Sequence, residues 1–262
     1  MDATTVATPV KSPVRTNRFL PYWAVLQSDV RHTLTSWIYR LWVLLTVGAA
    51  AGYLLYRYGA KQVAGIVSSA PELISDLLHW IVHGSVILII VLTAGTICGE
   101  RGTMADSILS RGISRTQYFL GKWHARLAAI LSTYFVLGVA ALIASVFLLH
   151  GENLSLLGGL VALGTVAVLL VPVITCGVAV SAMVNSTLVA IAVVWLVLYG
   201  SGFALSLLPA NFPSPDRMLV NLPNILRGLY DGQVIVRLIL WSLALSVAIA
   251  LVGMFSFSRR DV

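Results

Sequence analysis

From residue 37 onward the chain is a succession of long apolar runs separated by short polar breaks. A helix needs about 20 apolar residues to cross roughly 30 Å of hydrocarbon. Six stretches meet that demand, over residues 37–56, 79–98, 127–149, 156–184, 187–208 and 236–257. Ahead of them, "FLPYWAVLQSDVRHTL" (19–34) puts Phe19, Trp23, Leu26, Val30 and Leu34 on one helical face and Gln27, Ser28, Arg31 and His32 on the other. That spacing predicts an amphipathic helix lying in the plane of a membrane interface. Residues 1–18, rich in Thr, Pro and Val, predict a disordered cytoplasmic tail without the apolar core and cleavage site of a signal peptide. Residues 19–262 predict a single all-α transmembrane domain.

Two of the breaks have a pattern of their own. "CGERGTMADSILSRGISRTQYFLGKWH" (98–124) reads as a short helix over Ala105–Ser110, a break at Gly112, and a new helix capped by Ser114 that runs through Gly121 and Lys122 into the third span. The segment 209–235 alternates Pro209, Pro213, Pro215 and Pro223 with Leu219, Leu222, Ile225 and Leu226. Too polar to span and too apolar for a plain loop, it predicts a pair of short helices dipping part-way into the outer leaflet before the sixth span.

Composition sharpens the membrane reading: 58% of residues are hydrophobic, 10% are charged, and the mean hydropathy is +0.92, whereas soluble domains run near a quarter charged. The net charge of +7 does not point to nucleic acid, because the basic residues fall in the breaks between apolar runs. With the N-terminus inside, twelve Lys and Arg (Lys11, Arg15, Arg18, Arg31, Arg40, Arg101, Arg111, Arg115, Lys122, Arg126, Arg259, Arg260) face the cytoplasm. Five (Arg57, Lys61, Arg217, Arg227, Arg237) face out. This bias predicts an inner (plasma) membrane protein with both termini cytoplasmic.

Candidate chemistry inside the spans is sparse. Cys98 and Cys176 read as small hydrophobes and frame neither a disulfide nor a metal site. His79 and His83, four apart on one helical face, have a metal-pair spacing, but only Asp76 lies nearby in sequence, and pore-lining or interfacial histidines are the expectation. Trp37, Trp42 and Trp80 read as interfacial anchors, and Arg40 can snorkel to the surface. No other charge is expected deep in a span, which argues against an ion-coupled carrier. Residues able to line a pathway are Ser85, Thr93, Thr96, Trp195, Tyr199 and Phe203, with Thr133, Tyr134, Ser181, Ser201 and Ser206 as further polar or aromatic positions. Such a lining suits an apolar or amphipathic cargo. Pro172 is expected to kink the fourth span.

The polar segment after the second span carries Glu100-Arg101-Gly102-Thr103, then Ile108-Leu109-Ser110-Arg111-Gly112-Ile113-Ser114-Arg115, then Gly121-Lys122. It resembles the first cytoplasmic loop of type-2 ABC transporter permeases. The six-span layout, the N-terminal helix, the apolar elements before the sixth span and the closing "FSFSRRDV" agree with that family, and Gly112 departs from it where proline is usual. The resemblance implies a permease whose coupling helix, within 99–122, docks on a separate ATPase subunit through Glu100, Arg101, Gly102, Thr103, Ser110, Arg111, Ser114, Arg115 and Lys122. It further implies that ATP and Mg reside on that partner, with no cofactor on this chain, and that a second permease copy or a sister permease completes the assembly. No Gly-x-x-x-x-Gly-Lys-Ser/Thr phosphate loop occurs here, so the chain itself is not expected to be the enzyme.

Three other readings stand beside this one. A permease serving maturation of a copper enzyme of the nitrous oxide reductase type would need soft ligands, and five Met and two Cys supply few. An intramembrane enzyme would need paired carboxylates or a Ser/His dyad at close spacing, which the sequence lacks. A non-transporting anchor or immunity protein would bind no ATPase.

Overall fold

The computed structural model describes residues 19–64, 69–100, 113–149, 154–207 and 215–259. Among them there is no strand, and six helices are long and apolar enough to cross a membrane, so the chain is a multi-pass transmembrane protein. The 1–18 tail, Arg101 to Gly112, the start of the 209–235 segment and the last three residues lie outside the described residues.

Helix α1 (Leu20–Thr35) starts with proline in its first turn, where a missing N–H costs nothing. It ends where hydroxyl side chains compete for the backbone: Thr33 donates to the Asp29 carbonyl at 2.7 Å, and Ser36 adopts an extended conformation. The Ser36 hydroxyl then accepts from the Tyr39 N–H at 3.2 Å, so the residue that stops α1 also starts α2 (Trp37–Ala64). Around α1 there are three faces. Val25, Asp29 and Thr33 are buried, Phe19, Trp23 and Leu34 are exposed and apolar, and Gln27, Ser28, Arg31 and His32 are exposed and polar.

Helix α3 (Ala70–Ala94) begins well before the predicted residue 79. Its first turns alternate buried Leu73, Ile74, Leu77 and Leu78 with exposed Glu72, Asp76 and His79, which dilutes the hydropathy of a stretch that is helical throughout. The helix slackens at Gly95 into a 3₁₀ turn over Cys98–Glu100. Two N–H groups freed there, those of Ile97 and Cys98, donate to the Ser181 hydroxyl at 2.9 and 3.1 Å. Helix α4 (Arg115–Leu149) likewise starts earlier than 127. Ser114 accepts from the Gln117 N–H while the Gln117 side chain accepts from the Ser114 N–H, both at 3.2 Å, a reciprocal capping box.

Helix α5 (Leu156–Met183) is the hub of the bundle, packed against α3, α4, α6 (Thr187–Ser206) and α9 (Gly232–Arg259). Pro172 lies inside it and, lacking an N–H, leaves the Val168 carbonyl without its helical donor. Ser242 of α9 donates to that carbonyl at 2.5 Å, as a freed backbone group in hydrocarbon requires. The α5–α9 seam is close because Gly253 meets Ala179, where an added Cβ would stand 2.8 Å from the Ala179 Cβ.

Between α6 and α9 come two short helices, α7 (Pro215–Val220) and α8 (Leu222–Leu226), whose Met218, Leu219, Leu222, Ile225 and Leu226 are buried against the bundle. The turn after α8 needs glycine, since Gly228 has φ +81. These elements lie at the far end of the bundle, opposite α1.

Candidate functional site

At the α1 end, four charged side chains converge from three elements. Asp29 comes from the buried face of α1, Glu100 from the turn that ends α3, and Lys122 and Arg126 from successive turns of α4. Lys122 Nζ lies 2.9 Å from Asp29 Oδ1 and also binds Glu100 Oε1. Arg126 Nε is 3.4 Å from Asp29 Oδ2, close enough for an ion pair though too poorly aligned for a hydrogen bond. The Asp29, Lys122 and Arg126 side chains are 3%, 5% and 7% exposed, and the cost of burying charge is offset by setting two acids against two bases.

Local packing sets this geometry. Gly121 lets α1 approach α4, because a Cβ at that position would stand 2.8 Å from Val25 Cγ1. One turn along α1, the Tyr22 hydroxyl is 3.0 Å from His124 Nδ1. Tyr118, on the same side of α4, donates to Glu100 Oε2 at 2.8 Å and stacks on Phe257 of α9 at 6.0 Å between ring centres. Arg115 Nη1 donates to the Ser258 carbonyl at 3.2 Å. The start of α4 is thus joined to α1, to the end of α3 and to the end of α9, with segment 101–112 leaving from Glu100 and returning at Ile113.

Of the residues expected on the docking surface, Lys122 is buried and paired with Asp29 and Glu100, and Glu100 is partly exposed. Ser114 is exposed and Arg115 half-buried at the start of α4, whereas Arg101, Gly102, Thr103, Ser110 and Arg111 lie outside the described residues. Asp29 and Arg126 were absent from the sequence-derived set. The signal available was the i, i+4 pair of bases on α4 and a single acid on the Val25–Asp29–Thr33 stripe of α1.

At the far end, a groove of about 690 Å³ opens between α3, α5, α6 and α7. Trp195 and Tyr199 stack within it at 4.5 Å and 14°, and Phe203 continues the aromatic wall. His83, Ser201, Asp216 and Arg217 supply the polar part of the lining, so Ser201 joins the predicted positions found here. Trp195, Tyr199 and Phe203 are brought together here, and the other three predicted lining residues are not. Ser85 accepts from Trp42 Nε1 at 3.0 Å on the α2 side of α3. Thr93 donates to the Ile89 carbonyl at 2.8 Å and packs on Gly177, and Thr96 donates to the Leu92 carbonyl at 3.3 Å. The His79 and His83 rings lie 4.3 Å apart, with His83 Nδ1 bonded to the His79 carbonyl at 2.9 Å. Among the described residues no group of three or more His, Cys, Asp or Glu could hold a metal ion. Cys98 and Cys176 are free and buried.

The chain matches no protein-family model, and no curated protein matches it.

Proposed function

We propose that the chain is the permease subunit of an ATP-driven exporter of the type-2 ABC class, working with a separate ATPase and with a second permease, either another copy of itself or a sister chain. The observation that carries this reading is the buried Asp29–Lys122–Glu100 cluster, which fastens together the two ends of segment 101–112 and the N-terminal helix. A push on that segment cannot be absorbed by one helix alone. It moves α1, the end of α3 and the start of α4 as a unit, which suits an element that receives force from a nucleotide-driven partner.

In this reading the α1 end faces the cytoplasm of an inner membrane, with both termini on that side. The apolar face of α1 rests in the lipid interface, its polar face in water and its third face on α4. Segment 101–112, with Arg101, Gly102, Thr103, Ser110 and Arg111, docks on the ATPase together with Ser114 and Arg115. Closure of the ATPase on ATP tilts α3 and α4 and alters access to the aromatic groove at the far end, where α7 and α8 form the outer cover. The groove lining suits an apolar or amphipathic cargo. His79 and His83, exposed on α3, belong to the outer membrane interface, a wet pathway or a permease–permease contact.

Purification from native membranes through a C-terminal tag tests the proposal. An ATPase subunit is expected to co-purify stoichiometrically and to be lost in the Arg111→Glu/Arg115→Glu variant. Recovery of the intact chain without any ATPase rejects the exporter reading and favours an anchor or immunity protein.

A further inference from the structure

Polar side chains bond α2 to α3 at two levels. Trp42 Nε1 donates to Ser85 Oγ at 3.0 Å. Eleven residues further along α2, the Tyr53 hydroxyl donates to Asp76 Oδ2 at 3.3 Å and accepts from Arg57 Nε at 3.2 Å, and Arg57 Nη2 is 3.5 Å from the same carboxylate oxygen. Between these levels the helices part around a groove of about 470 Å³, lined mainly by apolar atoms and open on the side where Leu45 and Trp80 are exposed. Small residues make the room. Ala49 and Ala50 line it from α2 and Gly84 from α3, and a Cβ added at Gly84 would meet nothing within 4 Å.

The dimensions of the groove select its occupant. From Trp42 to Tyr53 it runs about 16 Å at 1.5 Å per residue, half of the roughly 30 Å of hydrocarbon and so the depth of one leaflet. Spread over that length, about 470 Å³ leaves a cross-section of about 30 Å², whereas a helix about 10 Å across needs about 80 Å². An acyl chain fits this space and a partner helix does not. At the end nearer α7 and α8, Arg57 and Asp76 stand side by side with side chains 28% and 53% exposed, where a lipid lying in the groove would carry its head group. Among the described residues the Asp76 carboxylate is engaged through Oδ2 alone.

We propose that this groove binds one phospholipid with an ethanolamine head group, an acyl chain lying between α2 and α3, the phosphate beside Arg57 and the ammonium on Asp76. A primary ammonium donates charge-assisted hydrogen bonds to a carboxylate. The quaternary ammonium of choline has no N–H to donate, and a glycerol head brings no cation to Asp76. The bound chain fills the gap where α2 and α3 lose contact, as close packing demands. The site is independent of the proposed transport role.

Native mass spectrometry of the detergent-purified chain tests the site, by titration with phosphatidylethanolamine, phosphatidylcholine and phosphatidylglycerol of matched acyl chains. The expected result is one ethanolamine lipid bound per chain, several-fold more tightly than either of the others. Asp76→Asn, at an exposed position that does not endanger folding, is expected to lower ethanolamine binding to the choline level and to leave choline binding unchanged. Gly84→Leu puts a side chain into the groove where there is room for it and raises helix propensity, so it is expected to weaken all three lipids several-fold without lowering the unfolding temperature. Equal wild-type affinity for the three head groups overturns the proposal. So does an Asp76→Asn chain that keeps its ethanolamine preference, or a Gly84→Leu chain that keeps its lipid. A second protein chain that departs in Gly84→Leu overturns it too, and assigns the groove to a partner helix.

Discussion

Replacing Lys122 by methionine removes the positive charge that stands between two carboxylates while keeping most of the side-chain volume. Among the described residues, Asp29 then retains the poorly aligned Arg126 at 3.4 Å, and Glu100 retains the Tyr118 hydroxyl at 2.8 Å. Breaking a buried pair by deleting one partner costs about 3–5 kcal/mol. At about 1.4 kcal/mol per decade, that lowers the folded-to-unfolded ratio by two to four powers of ten. Glu100 is 24% exposed and shares the loss with solvent, so the lower half of the range is expected. Titration with a denaturing detergent, read by tryptophan fluorescence, measures the change. The double variant Asp29→Leu/Lys122→Met still strands Arg126, so the triple variant that adds Arg126→Met is the one expected to recover stability. The order of stabilities should be wild type and triple variant above the double, with Lys122→Met lowest or level with the double. A Lys122→Met chain that unfolds with wild type, or three substitutions whose costs simply add, would show that the cluster is not a coupled unit and refute the reasoning.

Three further outcomes follow from single contacts. Ser242→Ala strips the donor from the Val168 carbonyl and should cost about 1–3 kcal/mol, while Pro172→Ala in the same background restores a helical N–H and recovers most of it in the same titration. Gly121→Ala forces α1 off α4 and should cost about 1–3 kcal/mol, with Val25→Ala as the compensating change and thiol labelling of Thr33→Cys, on the buried face of α1, as a second readout of whether α1 has lifted. Arg227→Ala, which removes an exposed pair with Glu72 at 2.9 Å, should change stability by about 1 kcal/mol at most, a control for the much larger effect of burial at Lys122.

The six spans were legible because hydrocarbon selects for long apolar runs, and the structure moves only their ends. Those ends moved where charge is worked into a helix: Glu72 and Asp76 hid the start of α3, and Arg115, Lys122 and Arg126 hid the start of α4. Ser114 as a cap was readable from the Ser-x-x-Gln spacing, and the two short helices before the last span from alternating prolines and leucines. Asp29 was not readable as a buried charge. Its partners are more than ninety residues away on α4, and a periodicity argument sees only that an acid is present, not what α4 places opposite it. Thr93 and Thr96 looked like pathway residues for a related reason. A hydroxyl in an apolar run lines a pore or turns back onto its own helix, and only the fold tells the two apart.

That inward turn bears on how the newly made chain survives in the bilayer. The two most enclosed spans are α3 and α5, yet α4 comes between them along the chain. During synthesis α3 must therefore wait in lipid until α5 leaves the ribosome. Because the hydroxyls of Thr93 and Thr96 are already bonded to the Ile89 and Leu92 carbonyls, α3 waits with neither of them exposed, and only the N–H groups of Ile97 and Cys98 await their late-arriving serine.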